Sequence, residues 1–216
     1  MAAALVGIAE NRDKDAEILS QEIGKIRHEG WIDSLVFEMR WNLALSHVAE
    51  IDKSTILPPV PDHIPTETTV TYQPLGVVTI IIPFNWPAAI LGASLPQALI
   101  AGNTVIVKVP PTAPLGVSRI VQRIAAQLPA GVLNIISGHD EDMKSLITDT
   151  RITKVCFTGS VKGGKSIMSL ASQNLTRLTL ELGVTTLLSY WKTLRLMTCN
   201  LIDYSQQFLI RQVKFA

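Results

Sequence analysis

Between residues 70 and 183, five short β-branched runs alternate with helix-like segments, and this rhythm constrains the fold more than any other feature of the chain. "GVVTIII" reads as strand and "PAAILGASLPQALIAG" as helix, closing on Gly-Asn. "TVIVK" is strand, "PLGVSRIVQRIAAQ" helix, "GVLNIIS" strand and "DEDMKSLITD" helix. "KVCFT" is strand, "GGKSIMSLASQ" helix and "RLTLEL" strand. Parallel strands need long crossovers, and right-handed helical crossovers bury both faces of the sheet. The expected class is therefore α/β, a Rossmann-like parallel sheet with helices on both faces. Residues 1–69 read differently, as an N-terminal helical segment followed by a linker. Ile18, Ile23 and Ile26, then Leu35, Met39, Leu43 and Val48, recur at near-helical spacing, with Gly30 expected to separate the two runs. "LPPVPDHIP" holds four prolines and is read as an irregular crossing.

Bulk properties exclude several functions. A net charge of +1 with 17% charged residues offers no field for capturing nucleic acid. Two cysteines, Cys156 and Cys199, make no disulfide framework and have no metal-ligand spacing, so no metal site is expected and a reducing, cytoplasmic location is. The start lacks a basic n-region and its apolar run breaks at Glu10, which argues against a signal peptide. No charge occurs between Glu67 and Lys108, as in a membrane segment, but prolines, Gly102 and asparagines cut that stretch well below the roughly 20 residues a spanning helix needs.

Open parallel sheets bind ligands at the carboxyl ends of their strands. The first strand ends in Pro83-Phe84-Asn85-Trp86-Pro87, where Asn85 either donates its amide to an oxyanion or caps the following helix. The second ends at Lys108, which either meets a ribose or phosphate or snorkels to the surface. The fourth runs through "CFTGSVKGG" into a helix N-terminus, a place that favours phosphate but a weak signal alone. The last carries Glu181 between two leucines. There a partly buried carboxylate with a raised pKa would serve as general base, and the alternative is a strand-end Glu in water.

Taken in order, Pro-Phe-Asn-Trp-Pro, "AGNTVIVK", "LPAGVLNIISG", Phe-Thr-Gly-Ser with Gly164, and "LELG" resemble the aldehyde dehydrogenase superfamily over about residues 15–183. The resemblance implies oxidation of a small-molecule aldehyde with NAD or NADP as acceptor, through a cysteine thiohemiacetal and a thioester that a Glu-activated water hydrolyses. It implies that Asn85 and Glu181 are catalytic, the first as oxyanion amide and the second as general base. It implies that Ile82, Pro83, Phe84, Asn85 and Trp86 line the cofactor cleft through their backbone, and that Lys108 meets the adenosine ribose. Gly138, Phe157, Thr158, Gly159, Ser160, Gly164, Glu181, Leu182 and Gly183 complete the implied cofactor site, with Ser160 at the pyrophosphate. Two departures matter. Pro111 stands where relatives often place a ribose-binding Glu, which leaves NAD versus NADP open, and Ser94 stands where many have a Lys.

The family's nucleophilic cysteine lies beyond "LELGG". Cys156 falls within an expected core strand, and Cys199 is too near Glu181 and lacks the family context. Relatives are usually homo-oligomers, and the elements that make those contacts are not recognisable here. The pattern also changes at Gly183. A coding sequence for Gly-Asn-Asp-Ala-Ala-Ile-Val-Leu-Glu-Asp that loses one G at its first codon can be read as Val-Thr-Thr-Leu-Leu-Ser-Tyr-Trp-Lys-Thr, which is residues 184–193. Residues 184–216 are thus expected to be an out-of-frame tail, and 70–183 the dinucleotide-binding domain of a chain that lacks its nucleophile. The competing readings are a dinucleotide-binding or interaction module without catalysis, and the membrane protein already disfavoured.

Overall fold

The computed structural model describes residues 1–51, 53–58, 67–183 and 209–215. In chain order the elements are α1 (Ala2–Ile23), α2 (Arg27–Ser46), α3 (Val48–Ile51), β1 (Thr55–Leu57), β2 (Thr68–Pro74), β3 (Val77–Ile81), α4 (Pro87–Gly92) and α5 (Leu95–Ile100). They continue with β4 (Thr104–Lys108), α6 (Leu115–Ala125), β5 (Leu133–Ile136), a 3-10 turn (Asp140–Asp142), α7 (Met143–Ile147), β6 (Ile152–Ser160), α8 (Val161–Ala171), β7 (Arg177–Gly183) and β8 (Leu209–Phe215). The five strands expected from the alternation form one parallel sheet in the order β5-β4-β3-β6-β7. The first of them in sequence is thus the central one.

Side chains alternate across this sheet and divide the core in two. Val78, Ile80, Val105 and Val107 pack with α1, α2, α4, α5 and α6 on one face. Ile81, Val155, Met143, Ile147 and Ile167 pack with α7 and α8 on the other. Helices on both faces explain the unbroken β-branched runs of β3 and β4, most of whose positions are buried.

The structure corrects three local expectations. The break between the first helices is at Gly24, whose φ of 71° makes it the left-handed cap of α1. Gly30 instead lies buried inside α2, where a Cβ would meet the backbone oxygen of Ala16 at 2.7 Å, so its role is to let α1 and α2 approach closely. The single helix expected over 87–102 is two short ones, because Pro96 cannot donate within a continuous helix and instead opens α5. A second sheet, β1-β2-β8, is antiparallel and was not anticipated. The sequence division at 69/70 falls inside β2. Of the tail, residues 184–208 and Ala216 lie outside the described residues, while β8 pairs with β2 from Thr68↔Phe215 to Pro74↔Leu209.

Candidate functional site

The carboxyl ends of β3, β4 and β6 open into a cavity of about 580 Å3. Of the residues singled out in the sequence, Ile82, Pro83, Phe84, Lys108, Phe157, Thr158, Gly159 and Ser160 line it. Their convergence follows from topology. β4 and β6 flank β3, and the register Ile81↔Lys108 and Ile81↔Phe157 brings the three strand ends level. Neighbouring strands lie about 4.8 Å apart, so β4 and β6 end roughly 10 Å from each other.

Each end of the cavity has its own chemistry. At the β6 end, Ser160 caps α8, its Oγ accepting the Gly163 N–H at 3.0 Å. The other first-turn amides and the helix dipole favour an anion there. A Cβ on Gly159 would lie 2.5 Å from Phe157 Cζ, and one on Gly163 at 2.8 Å, so the two glycines make room for the Phe157 ring at the turn. Gly164 is buried one step further in, where a Cβ would meet Leu182 Cδ2 at 2.6 Å; its absence lets β7 pack on α8. At the β4 end, Lys108 is buried along its length, and its Nζ donates to Asp140 Oδ1 at 3.2 Å. The Asp140 side chain is 97% exposed, and both residues line the cavity. Lys108 is therefore not a snorkelling surface lysine; its charge is presented to the cleft.

Asn85, Trp86, Gly138, Gly164, Leu182, Gly183 and Glu181 do not line this cavity. Asn85 is exposed at the top of β3, and it does not cap α4, whose N-cap residue is Trp86 with no side-chain bond. That cap comes from α2. Buried Asp33 accepts the Ala89 N–H at 2.6 Å, Lys25 Nζ lies 3.3 Å from the Asp33 carboxylate and 3.9 Å from the Trp86 ring centroid, and Arg40 donates to the Ala89 carbonyl at 2.5 Å. Burial pushes the Asp33 pKa up, and the Ala89 amide and Lys25 pull against it.

Of the two alternatives for Glu181, the structure has the strand-end carboxylate in water: the side chain is exposed, not partly buried. The alternation of β7 directs its leucines toward α8 and its Thr179 and Glu181 to the opposite face. On that face β7 is an edge strand, and a smaller cavity of about 190 Å3 lies between it and α4. Arg40, Ser94, Cys156, Thr158, Thr179 and Glu181 are among its walls, and Phe157 and Thr158 border both cavities. Cys156 is buried as expected, and burial pushes its thiol up to about 11, against weaker opposing effects of Lys154 and Thr179. A thiol so held carries almost no thiolate near neutrality. Buried Lys154 is shifted down, chiefly by desolvation, and donates to Thr179 Oγ1 at 2.8 Å.

Sequence reasoning missed Asp140 and Lys162 at the larger cavity and the trio Lys25, Asp33 and Arg40 behind Asn85. The acid-rich "HDED" after a strand end was a usable signal for the first. Nothing local marks Asp33 as the cap of a helix 56 residues away. Among the described residues no cluster of His, Cys, Asp and Glu could hold a metal, and no helix is long and apolar enough to cross a membrane.

Comparison with known proteins agrees with this architecture. The model of the family described as "Aldehyde dehydrogenase family" matches residues 1–190. The chain belongs to the aldehyde dehydrogenase family. It is 38% identical over 147 residues to a long-chain-aldehyde dehydrogenase of Acinetobacter, covering 66% of this chain and 28% of the relative. It is 44% identical over 121 residues to an aldehyde dehydrogenase of Rhodospirillum rubrum, covering 54% and 24%. Among solved structures it resembles betaine aldehyde dehydrogenase of Staphylococcus aureus in complex with NAD+, with 28% identity and a TM-score of 0.77, over 84% of this chain and 36% of that one. A 3,6-anhydro-L-galactose dehydrogenase solved with NADP aligns with the same identity and TM-score over 83% and 38%. The chain thus spans between about a quarter and two fifths of these aldehyde dehydrogenases.

Proposed function

We propose that this chain is the dinucleotide-binding part of an NAD(P)+-dependent aldehyde dehydrogenase, with 70–183 as the binding domain, 1–69 packed against it and 184–216 an out-of-frame tail. The observation that carries the reading is the cavity at the ends of β3, β4 and β6, with a helix N-terminus at one end and a buried lysine at the other. These residues fit the cofactor. The first turn of α8 would hold the pyrophosphate, Lys108 the adenosine ribose, and the backbone of Ile82, Pro83 and Phe84 the wall between them. The nicotinamide supplies hydride acceptance when bound. Asn85, exposed at the end of β3, is read as the oxyanion donor, and Glu181 as the base that activates water. The substrate is read as a small-molecule aldehyde, and a cytoplasmic location is read from the cysteine usage.

A second reading, a dinucleotide-binding module without oxidation, is favoured by one observation: the cysteine among the described residues is Cys156, buried and held as a thiol. Both readings meet the same first test, calorimetric titration of the chain with NAD+ and NADP+. Saturable binding of at least one dinucleotide is expected, and Lys108→Met should weaken it by about 10-fold or more, as loss of a charge-assisted bond does. Absence of binding by a folded chain would remove both. Neither reading expects this chain alone to oxidise an aldehyde; restoring the reading frame beyond Gly183 separates them, since only the first reading expects the extended chain to release reduced cofactor on adding an aldehyde.

A further inference from the structure

The cleft holds a charge pattern that bears on which dinucleotide it takes. Two cations and one anion line it: Lys108, Lys162 and Asp140. Lys162 lies in the first turn of α8, beside the anion site that the helix terminus and Ser160 create. Lys108 lies at the end of β4, already matched by the Asp140 carboxylate at 3.2 Å. The end of the cleft assigned to the ribose is therefore neutral overall, and its exposed group is a carboxylate. Position 111, which also lines the cavity, is a proline and offers no polar side chain.

We infer that the Lys108–Asp140 pair selects NAD+ over NADP+, Asp140 being the residue that rejects a 2′-phosphate. This rests on the dinucleotide reading above. A carboxylate accepts hydrogen bonds from the two ribose hydroxyls, as acidic groups at this end of dinucleotide folds do, and it repels a phosphate in the same place. Asp140 also ties up the cation that would otherwise neutralise that phosphate. Lys162 does not replace it, because β4 and β6 end roughly 10 Å apart and α8 begins at the β6 end. The selecting carboxylate comes from the turn after β5, not from the end of β4, and it acts through a lysine whose stem is buried between β3 and β5.

The test is a set of dissociation constants for NAD+, NADP+, AMP and adenosine 2′-monophosphate, measured on the full chain and on Asp140→Asn and Lys162→Met. Asp140 is exposed, so its amide variant should keep the fold, which circular dichroism and thermal unfolding will verify. The full chain should bind NAD+ over NADP+, and AMP over the 2′-monophosphate, by about 10-fold or more. Asp140→Asn should narrow both ratios by about 5-fold or more, through tighter binding of the 2′-phosphorylated ligands. Lys162→Met should weaken NAD+ and NADP+ alike. A preference for NADP+ in the unaltered chain, or ratios unmoved by Asp140→Asn, overturns the inference. If neither dinucleotide binds, the cofactor reading falls and the selection that rests on it falls with it. If both dinucleotides bind equally well before and after the substitution, the cofactor reading stands and the selection falls.

Discussion

At the scale of the residue, burial and strand alternation decide chemistry more than residue type does. Cys156 and Glu181 sit on adjacent strands and border the same small cavity, yet one is sealed and the other open to water. The thiol has a pH consequence. Its pKa is raised in the folded state from an ordinary 9.0 to about 11, so the folded protein binds the proton more tightly than the unfolded chain. That contribution to stability is complete below about pH 9 and is lost as pH rises through about 11, a loss on the order of 2–3 kcal/mol. Urea unfolding at about pH 8 and about pH 10.5 should show it as a fall in midpoint that is smaller in Cys156→Ala. An equal fall in both proteins would mean the thiol is not the group responsible. Part of this is legible in the sequence: a Cys between Val155 and Phe157 inside a strand of the alternating pattern reads as buried. Of the two readings of Glu181 the structure has the strand-end carboxylate in water, because the leucines beside it point to the other face of the strand.

At the scale of the element, the short helix α4 depends on α2. Six residues make too few hydrogen bonds to nucleate alone, and α4 opens with a proline and no capping side chain of its own. Asp33 supplies the cap, Arg40 holds the same turn by its carbonyl, and Lys25 bridges Asp33 to the Trp86 ring. Asp33→Ala should cost about 1–3 kcal/mol by leaving buried partners unpaired, and Asp33→Asn less, since the amide oxygen still accepts from Ala89. Denaturant midpoints of the two variants check this, and equal losses would show that the charge, not the acceptor, matters. The sequence marked α2 as a helix by its period, but the position of its break was misplaced to Gly30. A glycine buried at a helix crossing and a glycine ending a helix look alike until the partner helix is known.

At the scale of the molecule, the parallel sheet was legible because every βα unit repeats the same local signal, so an error in one leaves the rest standing. Strand order was not, since β3 becomes central only through pairing with β6, some 75 residues on in the chain. The second sheet was missed for a related reason: β1 is short, and β1 and β2 border a proline-rich stretch and pair antiparallel outside the repeating unit. β8 touches the described fold through β2 alone in the sheet ladders, far in topology from the strands that carry the cleft. A chain ending at Gly183 should therefore bind NAD+ within about 2-fold of the full chain, a difference near 0.4 kcal/mol, in the same calorimetric titration. A much larger loss would tie the last 33 residues to the site.

The borrowed cap on α4 also sets what the Ala89 amide reports. Its proton is held by a side chain from another helix, so exchange with solvent requires α2 to lift away, not α4 merely to fray. In hydrogen-exchange terms the turn that carries Asn85 belongs to the same opening unit as the N-terminal helices, although it follows directly on a strand of the sheet.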